Sequence, residues 1–119
     1  MQITHAVEDI GRQMGMEIRL NHAGLCTLNV GKHGSLFLER REDRLAISLA
    51  RKITGDAAKA LERGLGLCHP KNSPMTSFRV GLFRDNTVVV LCCLAPHHIR
   101  AGMHEQVLPY LFEQMAKIV

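Results

Sequence analysis

Between Leu25 and Arg51 the chain reads LCTLNVGKHGSLFLERREDRLAISLAR. Cys26, Leu28 and Val30 alternate there with Thr27 and Asn29; Leu36 and Leu38 alternate with Phe37 and Glu39; Leu45, Ile47 and Leu49 alternate with Ala46, Ser48 and Ala50. A period of two sends successive side chains to opposite faces of a sheet. The connections agree: Gly31-Lys32-His33-Gly34 holds two glycines able to take positive φ, and Arg40 to Asp43 is a short charged loop. The stretch predicts a three-stranded antiparallel meander. Leu36, Leu38, Leu45, Ile47 and Leu49 form its structural face, under helices. The opposite phase is not purely polar. Phe37, Ala46 and Ala50 lie on it, a face suited to a partner.

The flanking segments supply the rest of an α+β domain. Ile3, Val7, Ile10 and Met14 form one narrow stripe at helical spacing, stopped by Gly15. The narrow stripe predicts a helix lying on a surface rather than running through a core. After the meander, Thr54 is placed to cap a second helix whose apolar side is Ala57, Ala58, Leu61 and Leu65. This short, alanine-rich helix suits a contact between subunits. Leu67 to Thr76, with Pro70, Asn72, Ser73 and Pro74, reads as loop. Ser77 to Phe83 is a fourth strand, with Phe78, Val80 and Leu82 in one phase; Arg84-Asp85-Asn86 is a turn. Thr87 to Leu94, TVVVLCCL, is apolar in both phases and so should be central or covered on both sides. Pro96 ends it. A last helix runs from about Arg100 to the C-terminus on Met103, Val107, Leu111, Met115 and Ile118, kinked at Pro109. The expected order is α-β-β-β-α-β-β-α, a twisted antiparallel sheet with helices packed on one side. At 119 residues the whole chain, 1–119, is expected to form one domain.

Composition narrows the function classes. No apolar run approaches the roughly 20 residues of a membrane span, so no stable membrane insertion is expected. The N-terminus has no apolar run of signal-peptide length, which points to the cytoplasm. Four cysteines are too few and too irregularly spaced for a disulfide scaffold. The adjacent Cys92 and Cys93 point to opposite faces and cannot share a metal ion. Neither Cys68-His69 nor His97-His98 has a partner at ligand spacing, so no metal or other cofactor is expected. Cys68 beside His69 is the sole candidate nucleophile, without an oxyanion element or pocket pattern around it. No phosphate loop is present, since Gly31 to Gly34 is a hairpin turn. The net charge of +4 permits nucleic-acid binding, and a basic nucleic-acid-binding α+β domain is the alternative reading. Against it, no aromatic-rich strand stands beside a Lys/Arg cluster. Apolar patches without basic interleaving fit protein binding better.

Three features together carry a resemblance over essentially the whole chain: the first helix ending in Met14-Gly15, the G-L-C-T-L segment with the paired strands GSLFLERREDRLAISLAR, and Leu-Phe-Glu-Gln at Leu111 to Gln114. They resemble the class I type III secretion chaperones, and within that family the SycN type. The resemblance implies a non-enzymatic dimeric chaperone without nucleotide. Such a chaperone holds the N-terminal segment of a secreted protein in an extended, secretion-competent form in the bacterial cytoplasm, with transient presence at the inner-membrane face of the secretion apparatus. It implies pairing with a second small chaperone, YscB-like, and a YopN-type gatekeeper client; a homodimer is the other pairing left open. Carried onto this sequence, the dimer contact falls on Ala57, Leu61, Leu65, Phe78 and Val80. The client grooves fall on Ile3, Val7, Ile10, Phe37, Ala46 and Phe83. Chaperones of this family are usually acidic, and this chain is basic; an acidic heterodimer partner would favour mixed over self-pairing.

Overall fold

The computed structural model describes residues 2–68, 78–84 and 86–119. Its elements are α1 (Gln2–Gln13), β1 (Leu25–Asn29), β2 (Ser35–Arg41), β3 (Arg44–Lys52), α2 (Ala57–Leu67), β4 (Arg79–Phe83), β5 (Thr87–Leu94), α3 (Pro96–Arg100) and α4 (His104–Ile118). One antiparallel sheet holds all five strands in the order β1-β2-β3-β5-β4, with the helices on one side. Of the loop expected over Leu67 to Thr76, Leu67 belongs to α2 and Cys68 caps it, and the rest, with Ser77 and Asp85, lies outside the described residues.

The meander forms where the alternation places it. Leu36 opposes Leu49 and Leu38 opposes Ile47 across β2 and β3, and all four are buried. Between β1 and β2 the chain makes a short 3₁₀ turn, Gly31–His33. Gly34 then takes φ 108°, and a Cβ there would run into the carbonyl oxygen of Ala50. Only glycine meets both demands. The β2–β3 connection is tighter than the charged loop expected at Arg40 to Asp43: both strands continue to Arg41 and Arg44, leaving Glu42, at φ 58°, and Asp43 as the turn.

α1 forms as its periodicity predicts, but its stripe faces inward. Ile3, Val7 and Ile10 are 5%, 1% and 1% exposed and belong to the core with Ala6. The correction has a simple cause. A narrow apolar stripe is enough for a helix that packs against α4 and α3, while Gln2, Thr4, His5, Glu8 and Arg12 stay in solvent.

α2 is capped by Asp56, not Thr54: its Oδ1 accepts from the backbone N–H of Ala58 at 2.9 Å and of Lys59 at 3.2 Å. Its buried residues are the small Ala60 and Gly64, so the helix sinks close to β4 and turns Leu65 outward. Pro96 does not merely end β5. It occupies the first turn of the extra helix α3, where its fixed φ and missing N–H are tolerated. α4 follows on Val107, Leu108, Leu111, Met115 and Ile118, all buried, with Pro109 inside the helix on its exposed side.

Candidate functional site

The ladder assigns every strand residue to a face. Val88, Val90, Cys92 and Leu94 share the buried face with Leu45, Ile47 and Leu49. The opposite face is read directly from the register. One row runs Thr27–Phe37–Ser48–Leu91–Arg79, and the next runs Asn29–Ser35–Ala50–Val89–Gly81. At one end stand Glu39, Ala46 and Cys93; at the other stand Lys52, Thr87 and Phe83. No described helix covers this outer face. Phe37 is 38% exposed and Phe83 57%, while Ala50, Val89 and Leu91 are half-buried. β5 therefore is apolar in both phases, and the described helices cover one of them.

Of the residues read as client contacts, Phe37, Phe83 and Ala46 share this face. Ala46 is only 3% exposed, flanked in the ladder by Glu39 and Cys93, so it serves as floor rather than contact. Ile3, Val7 and Ile10 lie in the core on the other side of the sheet. Val89 and Leu91 add more apolar surface than the alanines do. The signal for them was present in the doubly apolar β5.

The residues read as dimer contacts divide similarly. Leu65 is 55% exposed, and Leu61 is half-buried beside it at helical spacing. Ala57 and Val80 pack partly buried against the core. Phe78 is 1% exposed and meets Tyr110 edge-to-face at 5.4 Å between ring centres. It precedes β4 on the same phase as Val80, whose cross-strand partner Val90 is buried, and so it points under the helices. α2 is fixed to the end of α4 by Arg63, which donates to the Ile118 carbonyl through Nε at 2.8 Å and Nη2 at 2.5 Å.

A groove of about 950 Å³ lies beside α1, lined by Val7, Arg12, Ile18, Leu20 and Arg40 among others. Sequence spacing gave no sign of it, because residues 16–24 have no regular structure. Nearby, Asp9, His104 and Glu105 bring one ligand atom each within 4.8 Å of one another. His104 Nε2 lies 2.9 Å from Asp9 Oδ2, and Arg12 also pairs with Asp9. The carboxylate is thus taken up by two protein partners, and the group acts as a strut between α1 and α4.

The thiols offer little chemistry. Burial pushes the Cys92 thiol up to about 12, with Cys93 adding to the shift, so Cys92 stays protonated at neutral pH and is a poor nucleophile. Burial also raises Cys26. Cys68 closes α2 as its C-cap and is half-buried. No helix among the described residues is long and apolar enough to cross a membrane.

A five-stranded sheet with one covered and one open apolar face, plus an outward leucine pair on α2, is a framework for holding other chains. No curated protein sequence matches the chain. Among solved structures, the Yersinia pestis type III secretion chaperone SycH, in complex with a stable fragment of YscM2, is similar at TM-score 0.69 and 20% identity, covering 98% of each chain. A chain of the ExsC–ExsE complex is similar at TM-score 0.72 and 12% identity, over 96% of this chain and 88% of that one. A chain of the heterodimeric ExoU–SpcU complex from the Pseudomonas aeruginosa type III secretion system is similar at TM-score 0.61 and 15% identity, over 95% and 94%. At these identities the likeness is one of fold. The family description "Type III secretory system chaperone SycN" matches residues 2–119. The chain belongs to the SycN family of type III secretory system chaperones.

Proposed function

We propose that this chaperone keeps the N-terminal segment of a secreted YopN-type gatekeeper secretion-competent, paired with a second small YscB-like chaperone, in the bacterial cytoplasm and transiently at the inner-membrane face of the secretion apparatus. The observation that carries the reading is the outer face of the sheet, where Phe37, Val89, Leu91 and Phe83 are presented without a covering helix among the described residues. A client chain that buries them gains about 1.5–3 kcal/mol per large side chain and loses several kcal/mol in being ordered. Several contacts along one surface are therefore needed, and this face supplies them. The subunit contact falls on Leu61 and Leu65 of α2, with Ala57, Phe78 and Val80 supporting it from beneath. The similar structures of SycH in complex with a fragment of YscM2 and of the heterodimeric ExoU–SpcU complex support a chain of this fold holding a protein partner.

Coexpression of the chain with a YscB-like chaperone and the N-terminal segment of a YopN-type gatekeeper, followed by size exclusion with light scattering, tests it. The expected result is a 1:1 complex of the two small chains that retains the segment. A stable monomer that holds neither overturns the reading.

A further inference from the structure

Gly81 stands in the middle of β4 with no need to be glycine. Its φ is not in the left-handed region, and a Cβ built there meets nothing within 4 Å. Glycine in a strand interior weakens the strand and marks places where another chain approaches closely. Its ladder partner on the outer face is Val89; Leu91 lies opposite Arg79 and Thr87 opposite Phe83. The missing side chain leaves open space on the outer face, a gap whose ladder neighbours are Val89 opposite and Leu91 and Phe83 in the flanking rows. Three cations lie at this end of the sheet, and one of them, Arg79, also donates through Nη1 to the Phe78 carbonyl at 2.9 Å. Arg79 is in the Leu91 row, Lys52 opposes Thr87, and the Arg84 guanidinium lies 5.2 Å from the centre of the Phe83 ring. Among the described outward strand positions the one carboxylate is Glu39 on β2, and Arg41 holds it at 2.6 Å.

We infer that the gap at Gly81 takes a large apolar side chain of the client segment, with carboxylates on either side of it facing Arg79, Lys52 and Arg84. The inference rests on the client reading above and gives that client its chemistry, an acidic segment with an apolar anchor. Cations beside an apolar floor raise the association rate of such a segment and reject basic ones. A second copy of this chain is disfavoured here, because it would bring the same three cations against its own. Single-stranded nucleic acid fits less well. The exposed aromatics Phe37 and Phe83 lie on β2 and β4, three strand spacings or about 14 Å apart, which makes no stacking platform.

The test uses the full chain and three labelled synthetic peptides of about twelve residues, each with a central Leu-x-Phe anchor. The flanks are Glu in one, Gln in the second and Lys in the third, and affinity is read by fluorescence anisotropy at 50 mM and 500 mM NaCl. The Glu peptide should bind at least tenfold more tightly than the Gln peptide at low salt, and the gap should close at high salt. Gly81→Val should leave thermal stability unchanged or raised and weaken the Glu peptide at least tenfold. Lys52→Gln with Arg79→Gln should remove the Glu preference and leave Gln-peptide affinity unchanged. Equal affinity for the Glu and Gln peptides overturns the charge selection. Full binding by Gly81→Val overturns the role of the gap. Either result leaves the client reading standing if the gatekeeper segment is still retained. Tighter binding of a uridine oligonucleotide than of the Glu peptide overturns the inference in favour of nucleic acid. Self-association abolished by Gly81→Val overturns it in favour of a second copy.

Discussion

Gln13 of α1 donates its side-chain amide, at 2.6 Å, to the Glu105 carbonyl that Pro109 leaves open in α4. In a helix that carbonyl would accept from the N–H of residue 109, and proline has none. The orphaned acceptor becomes an interhelical tie, a short step from the His104–Asp9 contact that joins the same two helices. Gln13→Ala should cost about 1 kcal/mol in the background that keeps Pro109. With Pro109→Ala, which restores the helix's own donor, the same change should cost less. A double-mutant cycle by urea denaturation measures the coupling, and full additivity would show that Gln13 does not answer to the proline.

Gly64 and Val80 set how close α2 comes to the sheet. A Cβ at 64 would lie 2.5 Å from Val80 Cγ1 and 3.3 Å from Ile118 Cδ1. Gly64→Ala gains about 1 kcal/mol in helix propensity and loses about 1–3 kcal/mol to overpacking, so a net loss is expected. Gly66, two residues on, has nothing within 4 Å of its built Cβ, and Gly66→Ala should stabilise. Adding Val80→Ala to Gly64→Ala should recover part of the loss, read from the shift in urea midpoint.

These contacts show why parts of the molecule were legible in sequence and others were not. The β2–β3 pairing was legible because period-two alternation and two turn signals state the same register. The α1 stripe was legible as a helix but not as a buried one. Periodicity gives the apolar side, and nothing local says whether other helices or a client will cover it. On α2 the leucines outweigh Ala60 and Gly64 in any count of apolar residues, yet small residues are what allow two backbones to approach. Phe78 was misplaced for a related reason: its strand phase was right, but which phase lies under the helices depends on β5, a distant partner. α3 was missed because Pro96 both stops a strand and starts a helix.

The buried Cys92 thiol makes stability fall at alkaline pH. Its folded value is pushed from 9.0 to about 12, so the unfolded chain loses this proton first. The stabilising effect is complete below pH 9 and disappears as pH rises towards 12. Cys92→Ala should unfold with a smaller drop in urea midpoint across pH 9 to 11 than the parent chain. At pH 8 a thiol reagent should leave Cys92 unlabelled until urea is added, which peptide mapping detects.

Leu65 is the large apolar side chain most exposed on α2, at 55%. Leu65→Glu removes no core contact, and its direct effect on protomer stability should stay within about 0.5 kcal/mol. If α2 meets the second subunit, the same change should weaken pairing at least tenfold, since a carboxylate would be buried without a partner. Sedimentation equilibrium separates the outcomes: unchanged pairing moves the subunit contact away from α2.

The two sheet faces can be told apart with a single charge. Ile10, 1% exposed, and Phe37, 38% exposed, are both large apolar residues first read as client contacts, and the fold sets them on opposite sides of the sheet. A glutamate at position 10 would be desolvated among core side chains, so Ile10→Glu should abolish the cooperative transition or lower stability by several kcal/mol. At position 37 the carboxylate stays in water. It meets Ser48 and Thr27 across the ladder rather than another acid, so Phe37→Glu should change stability by less than about 1 kcal/mol. Its effect should fall on binding, as lost apolar area plus repulsion of an acidic segment, and a tenfold or greater loss of gatekeeper-segment affinity is expected. Circular dichroism with urea denaturation, beside anisotropy on the same samples, reads both effects. Unfolding by Phe37→Glu would mean that the face carrying Val89 and Leu91 is covered in the native protein. Unchanged affinity in a folded Phe37→Glu would move the client to the groove beside α1.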